Sequence, residues 1–169
     1  LAISMAVALS ARQWLYDDLR AHASTQAQSL GRSLVAPLMR DDVESIVAEA
    51  RTLGFYSNLI TSGVGLDQRR IRAFKDAGLD HIQLSFQDSS RELNDFLSST
   101  RTFDLKQRVA RTIKDLGYPM VLNCVMHRYN LPHVGLIIAM AEQLGAQYLE
   151  LANTQYYGWA WLNRDALMP

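Results

Sequence analysis

Cysteine is nearly absent from this sequence, whose 169 residues contain only Cys124. A single thiol excludes an internal disulfide and any metal site built from several cysteines of this chain. Cys124 lies inside an apolar run, which indicates a buried and unreactive thiol and favours a reducing compartment such as the cytoplasm. We therefore expect a cytoplasmic protein that supplies no metal ligands.

An excess of charge and a long apolar run are also absent. Lys+Arg and Asp+Glu both number 17, so the composition gives no reason to expect nucleic acid or an anionic membrane as a partner. No apolar run reaches the roughly 18 residues needed to span a bilayer. The first nine residues are apolar but lack the basic start of a signal peptide. Hydrophobic residues make up 49% of the chain, enough for a real core.

The clearest pattern is strict alternation over residues 81–87. Apolar and polar side chains form two rows, which are Ile82, Leu84 and Phe86 on one side and Gln83, Ser85 and Gln87 on the other. A period of two predicts a β-strand with one apolar face. The polar row needs water, other polar groups or a ligand as its partner. An edge strand with one wet face and the wall of a polar cavity both fit this pattern.

Helical stripes alternate with strands along the rest of the chain. Four of these stripes end at a glycine, namely Gly54, Gly78, Gly117 and Gly145. We expect N-caps at Asp41, Asp67 and Ser89, and strands over 55–62, 81–87, 120–127 and 148–153. Such alternation predicts an α/β fold with parallel strands. A doubly wound sheet and a partial (β/α) barrel both fit, and the polar residues present on every strand favour the barrel. We assign residues 37–169 to this barrel and 1–36 to a helical N-terminal extension of unclear role.

Several strings in the predicted barrel resemble a known family. These strings run over residues 58–66, 75–88, 127–130 and 155–160, and the match extends from about Pro37 to Pro169. They resemble the radical SAM enzymes of pyrroloquinoline quinone (PQQ) biosynthesis, the protein E family of PqqA peptide cyclases. This resemblance implies a partial barrel that holds S-adenosylmethionine and a [4Fe-4S] cluster. It also implies an oxidoreductase that joins a Glu to a Tyr in the precursor peptide PqqA, which the chaperone PqqD delivers.

The resemblance assigns cofactor contacts to four residues of this chain. Ser85, Gln87 and Asp88 would lie near the ribose and adenine of S-adenosylmethionine, and Asn123 would be a neighbouring hydrogen-bond partner. A cluster of polar side chains around water remains the alternative. Thr61, together with Ser62, is interpreted as a turn cap.

The sequence departs from the family at its N-terminal side. The CxxxCxxC cluster motif belongs before residue 37, where this chain has no cysteine. The Gly-Gly-Glu-Pro segment of the family aligns with residues 34–37, where only Pro37 matches. We therefore expect an incomplete fragment that carries no cluster and is inactive alone. The alternative is a scaffold without a cluster that binds a peptide or a partner protein.

Two further groups of residues are candidates for chemistry or binding. His127 at a strand end is a weak candidate for a proton carrier, with a structural histidine as the alternative. Tyr156, Tyr157 and Trp159 could line a peptide channel or plug the end of the barrel. Glu150 points to the opposite side of its strand from Leu149 and Leu151 and is one of the polar residues that favour a polar lumen. A buried ion pair with a lysine or arginine is the alternative.

Overall fold

A computed structural model describes residues 42–168 of the chain. The chain divides into two compact units, and the division falls between Phe55 and Tyr56 in the sequence. The predicted helix within residues 1–36, the segment 34–37 and the expected cap at Asp41 lie outside the described residues. Among residues 42–168, no helix combines the length and the apolar character that crossing a membrane requires.

The described part of the first unit is one helix, α1 (Val43–Thr52). Asp42 is its N-cap, because the Asp42 carboxylate accepts a hydrogen bond from the Ser45 N–H over 3.0 Å. The predicted cap was therefore placed one residue too early. The chain leaves the helix through Gly54, whose φ of +78° lies in the left-handed region, as the sequence predicted.

The second unit alternates strands and helices. Its elements are β1 (Asn58–Thr61), α2 (Gln68–Ala77), β2 (His81–Phe86), α3 (Arg91–Ser98), α4 (Phe103–Asp115), β3 (Met120–Met126), a 3-10 turn (Leu131–His133), α5 (Val134–Leu144), β4 (Tyr148–Asn153), α6 (Trp159–Leu162) and α7 (Arg164–Leu167). Strands β2, β3 and β4 lie within one residue of their predicted bounds. Strand β1 is shorter than predicted, and helices α6 and α7 were not predicted.

The order of the strands distinguishes the two candidate folds. The sheet has four strands in the order β1-β2-β3-β4, and every neighbouring pair is parallel. A doubly wound sheet would reverse its strand order at one point, whereas a barrel adds each new strand on the same side. The prediction of a partial (β/α) barrel is therefore confirmed for residues 56–168.

The core lies between one face of the sheet and the helices. Helix α4 packs against β2 and β3, and α5 packs against β4. The apolar row of β2 is at most 1% exposed. Its register places Ile82 beside Met120, Leu84 beside Leu122 and Phe86 beside Cys124. The opposite face carries exposed or half-buried side chains, and we call it the open face.

Local hydrogen bonds explain where the helices of this unit begin. The Asp67 carboxylate accepts from the Arg70 N–H over 2.7 Å, which confirms the cap predicted at Asp67. Helix α3 is capped by Ser90, whose hydroxyl accepts from the Leu93 N–H, so the expected cap at Ser89 was wrong by one residue. Ser90 is selected because its own hydroxyl and N–H are both held by the preceding aspartate, Asp88.

Candidate functional site

A row of polar side chains crosses the open face and links all four strands. On this face, Asn58 Nδ2 of β1 donates to Gln83 Oε1 of β2 over 3.1 Å. Gln83 Nε2 then donates to Glu150 Oε2 of β4 over 2.6 Å. The same oxygen accepts from Asn123 Nδ2 of β3 over 2.9 Å. We call these four side chains the polar row, and they show that the polar residues predicted on separate strands share one surface.

Glu150 is the acidic member of this row. Its exposed carboxylate accepts hydrogen bonds from two side-chain amides. Within the part of the chain that the structure describes, no lysine or arginine pairs with it, so the ion pair considered from sequence is not found there. An exposed carboxylate beside amides can accept hydrogen bonds from ligand hydroxyls and attract a cationic group.

Two of the four predicted cofactor residues lie side by side on the open face. Ser85 of β2 and Asn123 of β3 are neighbours in the parallel register, and both are half-buried. A serine hydroxyl and an asparagine amide at this spacing can bind adjacent hydroxyls of a ribose. The structure therefore places Ser85 beside Asn123, which is a member of the polar row.

Gln87 follows the carboxyl end of β2, and two buried asparagines hold its backbone. Its N–H donates to Asn94 Oδ1 over 3.0 Å, and its carbonyl accepts from Asn130 Nδ2 over 2.9 Å. Both asparagines are fully buried. Asn130 also donates to the Val125 carbonyl over 2.8 Å, so it connects the ends of β2 and β3. The Gln87 side chain is thereby held at the edge of the sheet where α/β folds place their sites.

Asp88 differs from the other predicted cofactor residues because its carboxylate is fully buried. Asp88 Oδ2 accepts from the N–H and the hydroxyl of Ser90 over 2.8 and 2.7 Å. Asp88 Oδ1 lies 2.9 Å from His133 Nδ1. These contacts fix the turn after β2. A cofactor role for Asp88 stays a prediction, in which Asp88 would act by holding this turn in place.

His127 immediately follows β3 and is 6% exposed. Its Nδ1 accepts a hydrogen bond from the Tyr129 N–H over 3.2 Å, and its own N–H donates to Asn130 Oδ1 over 2.8 Å. Burial lowers the pKa of His127, and the nearby charge of Asp88 offsets part of that effect. His127 is therefore an ordered imidazole that favours the neutral form.

A cavity of about 340 Å³ opens at the carboxyl ends of β3 and β4. Its walls are formed by six residues, which are Met126, His127, Leu131, Asn153, Thr154 and Tyr156. The structure thus brings together His127 and Tyr156, which sequence reasoning had assigned to different roles. Tyr157 and Trp159 lie outside this cavity and are 72% and 81% exposed, so they do not plug the sheet end.

The cysteine chemistry of the chain does not fit an iron–sulfur cluster. Such a cluster requires several thiolate ligands, and Cys124 is the single cysteine of the sequence. Cys124 is 1% exposed on the helix-covered face of β3, and burial raises its pKa to about 11. Among residues 42–168, no group of three or more His, Cys, Asp or Glu side chains could hold a metal ion.

Asn94 and Asn130 are site residues that sequence reasoning missed. A signal was present, since Asn130 precedes Leu131-Pro132 at a strand end, where asparagine commonly caps a turn. Neither asparagine alternates with apolar residues on a strand, so periodicity could not reveal them. Thr61 behaves as interpreted, because its hydroxyl accepts from the Gly63 N–H over 3.0 Å.

Solved structures with this fold include enzymes that bind S-adenosylmethionine or precursor peptides. Streptococcus suis SuiB bound to precursor peptide SuiA matches with a TM-score of 0.60 and 15% identity over 68% of this chain and 26% of that one. Native anSMEcpe with bound AdoMet matches with a TM-score of 0.58 and 18% identity over 74% and 36%. Coproporphyrinogen III oxidase (HemN) from Escherichia coli, described as a radical SAM enzyme, matches with a TM-score of 0.59 and 7% identity over 75% and 31%.

At these identities the structural likeness shows the fold alone. The chain spans about a quarter to a third of the length of these solved proteins. Residues 33–140, which make up more than half of the chain, match the model of the Radical SAM superfamily. By this match of its sequence, the chain belongs to the radical SAM superfamily.

Proposed function

We propose that this chain forms the cofactor-facing wall of a radical SAM enzyme that modifies a peptide. The observation that carries the proposal is the polar row on the open face of a sheet with the radical SAM fold. Ser85 and Asn123 would bind the ribose hydroxyls of S-adenosylmethionine, and Gln87 would contact the adenine. Asp88 would fix the turn that carries Gln87. These roles agree with the side-by-side placement of Ser85 and Asn123.

The charge of the open face supports the same ligand. S-adenosylmethionine carries a sulfonium cation, and Glu150 places an exposed carboxylate beside Asn123. A unit charge pair at about 4 Å contributes about 1 kcal/mol in water, which corresponds to roughly fivefold in affinity. A wall with this carboxylate would favour the sulfonium compound over its uncharged thioether analogue.

The finer proposal is the reaction of the PqqA peptide cyclases. In that reading, the intact enzyme crosslinks Glu and Tyr of PqqA during PQQ biosynthesis and receives the peptide from PqqD. Its support is the set of matching strings, of which 75–88 includes the whole of β2 and 155–160 includes the aromatic segment. Tyr156, Tyr157 and Trp159 would contact the peptide, since aromatic side chains give large contact areas at low entropic cost.

The proposal for this chain is limited to binding, because its cysteine content does not fit a cluster. The cluster and S-adenosylmethionine together supply radical chemistry in the intact family. The residues described above can bind and orient a nucleoside and a peptide. A [4Fe-4S] species reconstituted on this chain from iron and sulfide under anaerobic conditions would contradict this limit.

Binding of S-adenosylhomocysteine, measured by isothermal titration calorimetry, tests the proposal on the 169-residue chain. We expect saturable binding that weakens about tenfold in Ser85→Ala and in Asn123→Ala, because each loses about one ligand hydrogen bond. Asn163→Ala is the matched control, since Asn163 is exposed and bonds only locally to the Trp159 carbonyl. Unchanged affinity in both site variants would refute the assignment.

A second candidate is a scaffold without a cluster that binds a peptide or partner protein. The exposed aromatic side chains of Tyr157 and Trp159 favour it, because large aromatic groups at 72% and 81% exposure are typical of contact surfaces. Titration with PqqA peptide tests this candidate. Peptide binding without any binding of S-adenosylhomocysteine would favour the scaffold over the cofactor wall.

A further inference from the structure

The cavity beside His127 has a lining without formal charge. Its six residues provide one thioether, one aliphatic side chain, one imidazole, one amide, one hydroxyl and one phenol. A volume of about 340 Å³ lies at the lower end of the range for small-ligand sites. No lysine, arginine, aspartate or glutamate is among these lining residues, so the cavity offers no partner for a charged ligand. Its chemistry suits an uncharged group with a polar atom and an apolar neighbour.

His127 lines the cavity, and its ring has one nitrogen that can donate to such a group. Because the Tyr129 N–H donates to Nδ1, this nitrogen is the acceptor and the proton of the neutral ring lies on Nε2. Within residues 42–168, no hydrogen-bond partner is found for Nε2. Every buried side-chain nitrogen or oxygen in these residues has a partner, so an atom without one must be exposed to solvent. Nε2 is therefore accessible, and its N–H is available as a donor.

The walls next to this donor add both apolar contact and acceptors. Thr154 donates its hydroxyl proton to the Met126 carbonyl over 2.7 Å, which leaves the Thr154 oxygen as an acceptor. Met126 is 9% exposed, whereas Leu131 is 45% exposed at the rim. A ligand that fills the cavity would thus meet a fixed N–H donor, a hydroxyl acceptor and apolar side chains.

We propose that this cavity binds an uncharged amide of a peptide, with His127 Nε2–H donating to the amide carbonyl. The amide N–H is donated to Thr154 Oγ1, and the adjoining apolar side chain packs against Met126 and Leu131. His127 then acts as a substrate-binding residue and not as the proton carrier considered from sequence. The inference rests on the proposed peptide-modifying function, since it assigns the substrate contact of that site.

Nuclear magnetic resonance of the 169-residue chain tests this assignment at the atom concerned. Long-range 15N–1H spectra of the imidazole report which ring nitrogen carries the proton. At pH 7 we expect the Nε2-protonated form, and we expect its signals to shift on addition of N-acetylleucinamide. N-acetylleucine and leucinamide have the same leucine side chain, but each carries one charge, on its carboxylate or its amino group. We expect each to bind at least fivefold more weakly. A ring protonated on Nδ1, or equal binding of the three compounds, would overturn the proposal.

Two substitutions at His127 separate the donor from the shape of the side chain. The amide of His127→Gln can place an N–H near the position of Nε2, whereas His127→Asn reaches only the position of Nδ1. We expect His127→Gln to keep N-acetylleucinamide affinity within about twofold and His127→Asn to lose at least fivefold. Equal losses in the two variants would contradict the donor role.

The same samples distinguish this inference from the proposed function. S-adenosylhomocysteine is expected to shift Ser85 and Asn123 on the open face, whereas the amide shifts His127. Amide binding without S-adenosylhomocysteine binding would leave the amide site standing and refute the cofactor wall. The reverse result would refute the amide site alone.

Discussion

Asn130 is the buried side chain whose removal should disturb the site edge most. Its Oδ1 accepts from the His127 N–H over 2.8 Å, and its Nδ2 donates to the carbonyls of Gln87 and Val125 over 2.9 and 2.8 Å. The residue is fully buried. Asn130→Ala would therefore remove the acceptor of one N–H and a donor to each of two carbonyls at the carboxyl ends of β2 and β3. The Gln87 carbonyl keeps a contact with Cys124 Sγ at 3.5 Å.

The expected cost follows from these three bonds. At about 1 kcal/mol for each intramolecular hydrogen bond, Asn130→Ala should lower the free energy of unfolding by about 3 kcal/mol. Incomplete access of water to the exposed groups would increase the loss, because a buried unsatisfied polar group costs about 1–3 kcal/mol. For a domain of this size, a loss of 3 kcal/mol corresponds to a decrease of about 10 °C in Tm.

Urea denaturation followed by circular dichroism measures this loss, with Asn163→Ala as the matched control. Asn163 donates one exposed hydrogen bond, to the Trp159 carbonyl, and its replacement should cost less than about 1 kcal/mol. A loss below 1 kcal/mol in Asn130→Ala would show that Asn130 does not connect the strand ends as described. If Asn130 connects the strand ends as described, the His127 imidazole signals should broaden or shift in Asn130→Ala, because the backbone N–H of His127 loses its acceptor.

Three other groups give independent tests. Tyr118→Phe should lower the free energy of unfolding by about 1–2 kcal/mol, because the buried Tyr118 hydroxyl donates to the Leu79 carbonyl; an unchanged urea midpoint would contradict this. Burial raises the pKa of Tyr118 to about 12, so wild type and Tyr118→Phe should show the same phenolate absorbance at pH 10 while both are native. Cys124 should react with a thiol reagent at pH 8 only through unfolding, since burial raises its pKa to about 11; rapid labelling of native protein would refute this. Because burial lowers the pKa of His127, the unfolded chain takes up the proton first, and stability should decrease as pH falls below about 6.5. His127→Gln should remove that part of the pH dependence.

The fold could be predicted from sequence because its signals are local and repeated. Strict alternation over residues 81–87 identified β2 and its two faces, and the left-handed glycines after four of the described helices were recognised from their spacing. Polar residues on every strand favoured a barrel, and the sequential strand order confirms it. Once the two strands are paired in parallel, their register places Ser85 beside Asn123.

Contacts between distant residues could not be predicted in the same way. Whether Glu150 pairs with a cation or with the amides of Gln83 and Asn123 depends on which side chains the strand register brings together. The burial of Asp88 depends on His133, which lies 45 positions away in sequence. Caps at Asp42 and Ser90 differ from the predicted positions because each pair of adjacent residues offers two chemically similar caps.

The carboxylate of the polar row gives a further prediction, on ligand charge. Glu150→Gln keeps the shape of the side chain and removes its charge beside Asn123. S-adenosylmethionine should bind wild type about fivefold more tightly than S-adenosylhomocysteine, and Glu150→Gln should abolish that difference. Persistence of the preference in the variant would show that another group meets the sulfonium.

The most direct test of the cofactor wall is a titration of the 15N-labelled chain with S-adenosylhomocysteine, followed through backbone amide shifts. The account predicts saturable shifts that are largest at Ser85, Gln87 and Asn123 on the open face and at the end of β2. It also predicts that Asn123→Ala weakens the binding about tenfold, while Asn163→Ala does not. Saturable shifts centred elsewhere, or none at those three residues, would contradict the claim that this sheet face is built to bind S-adenosylmethionine.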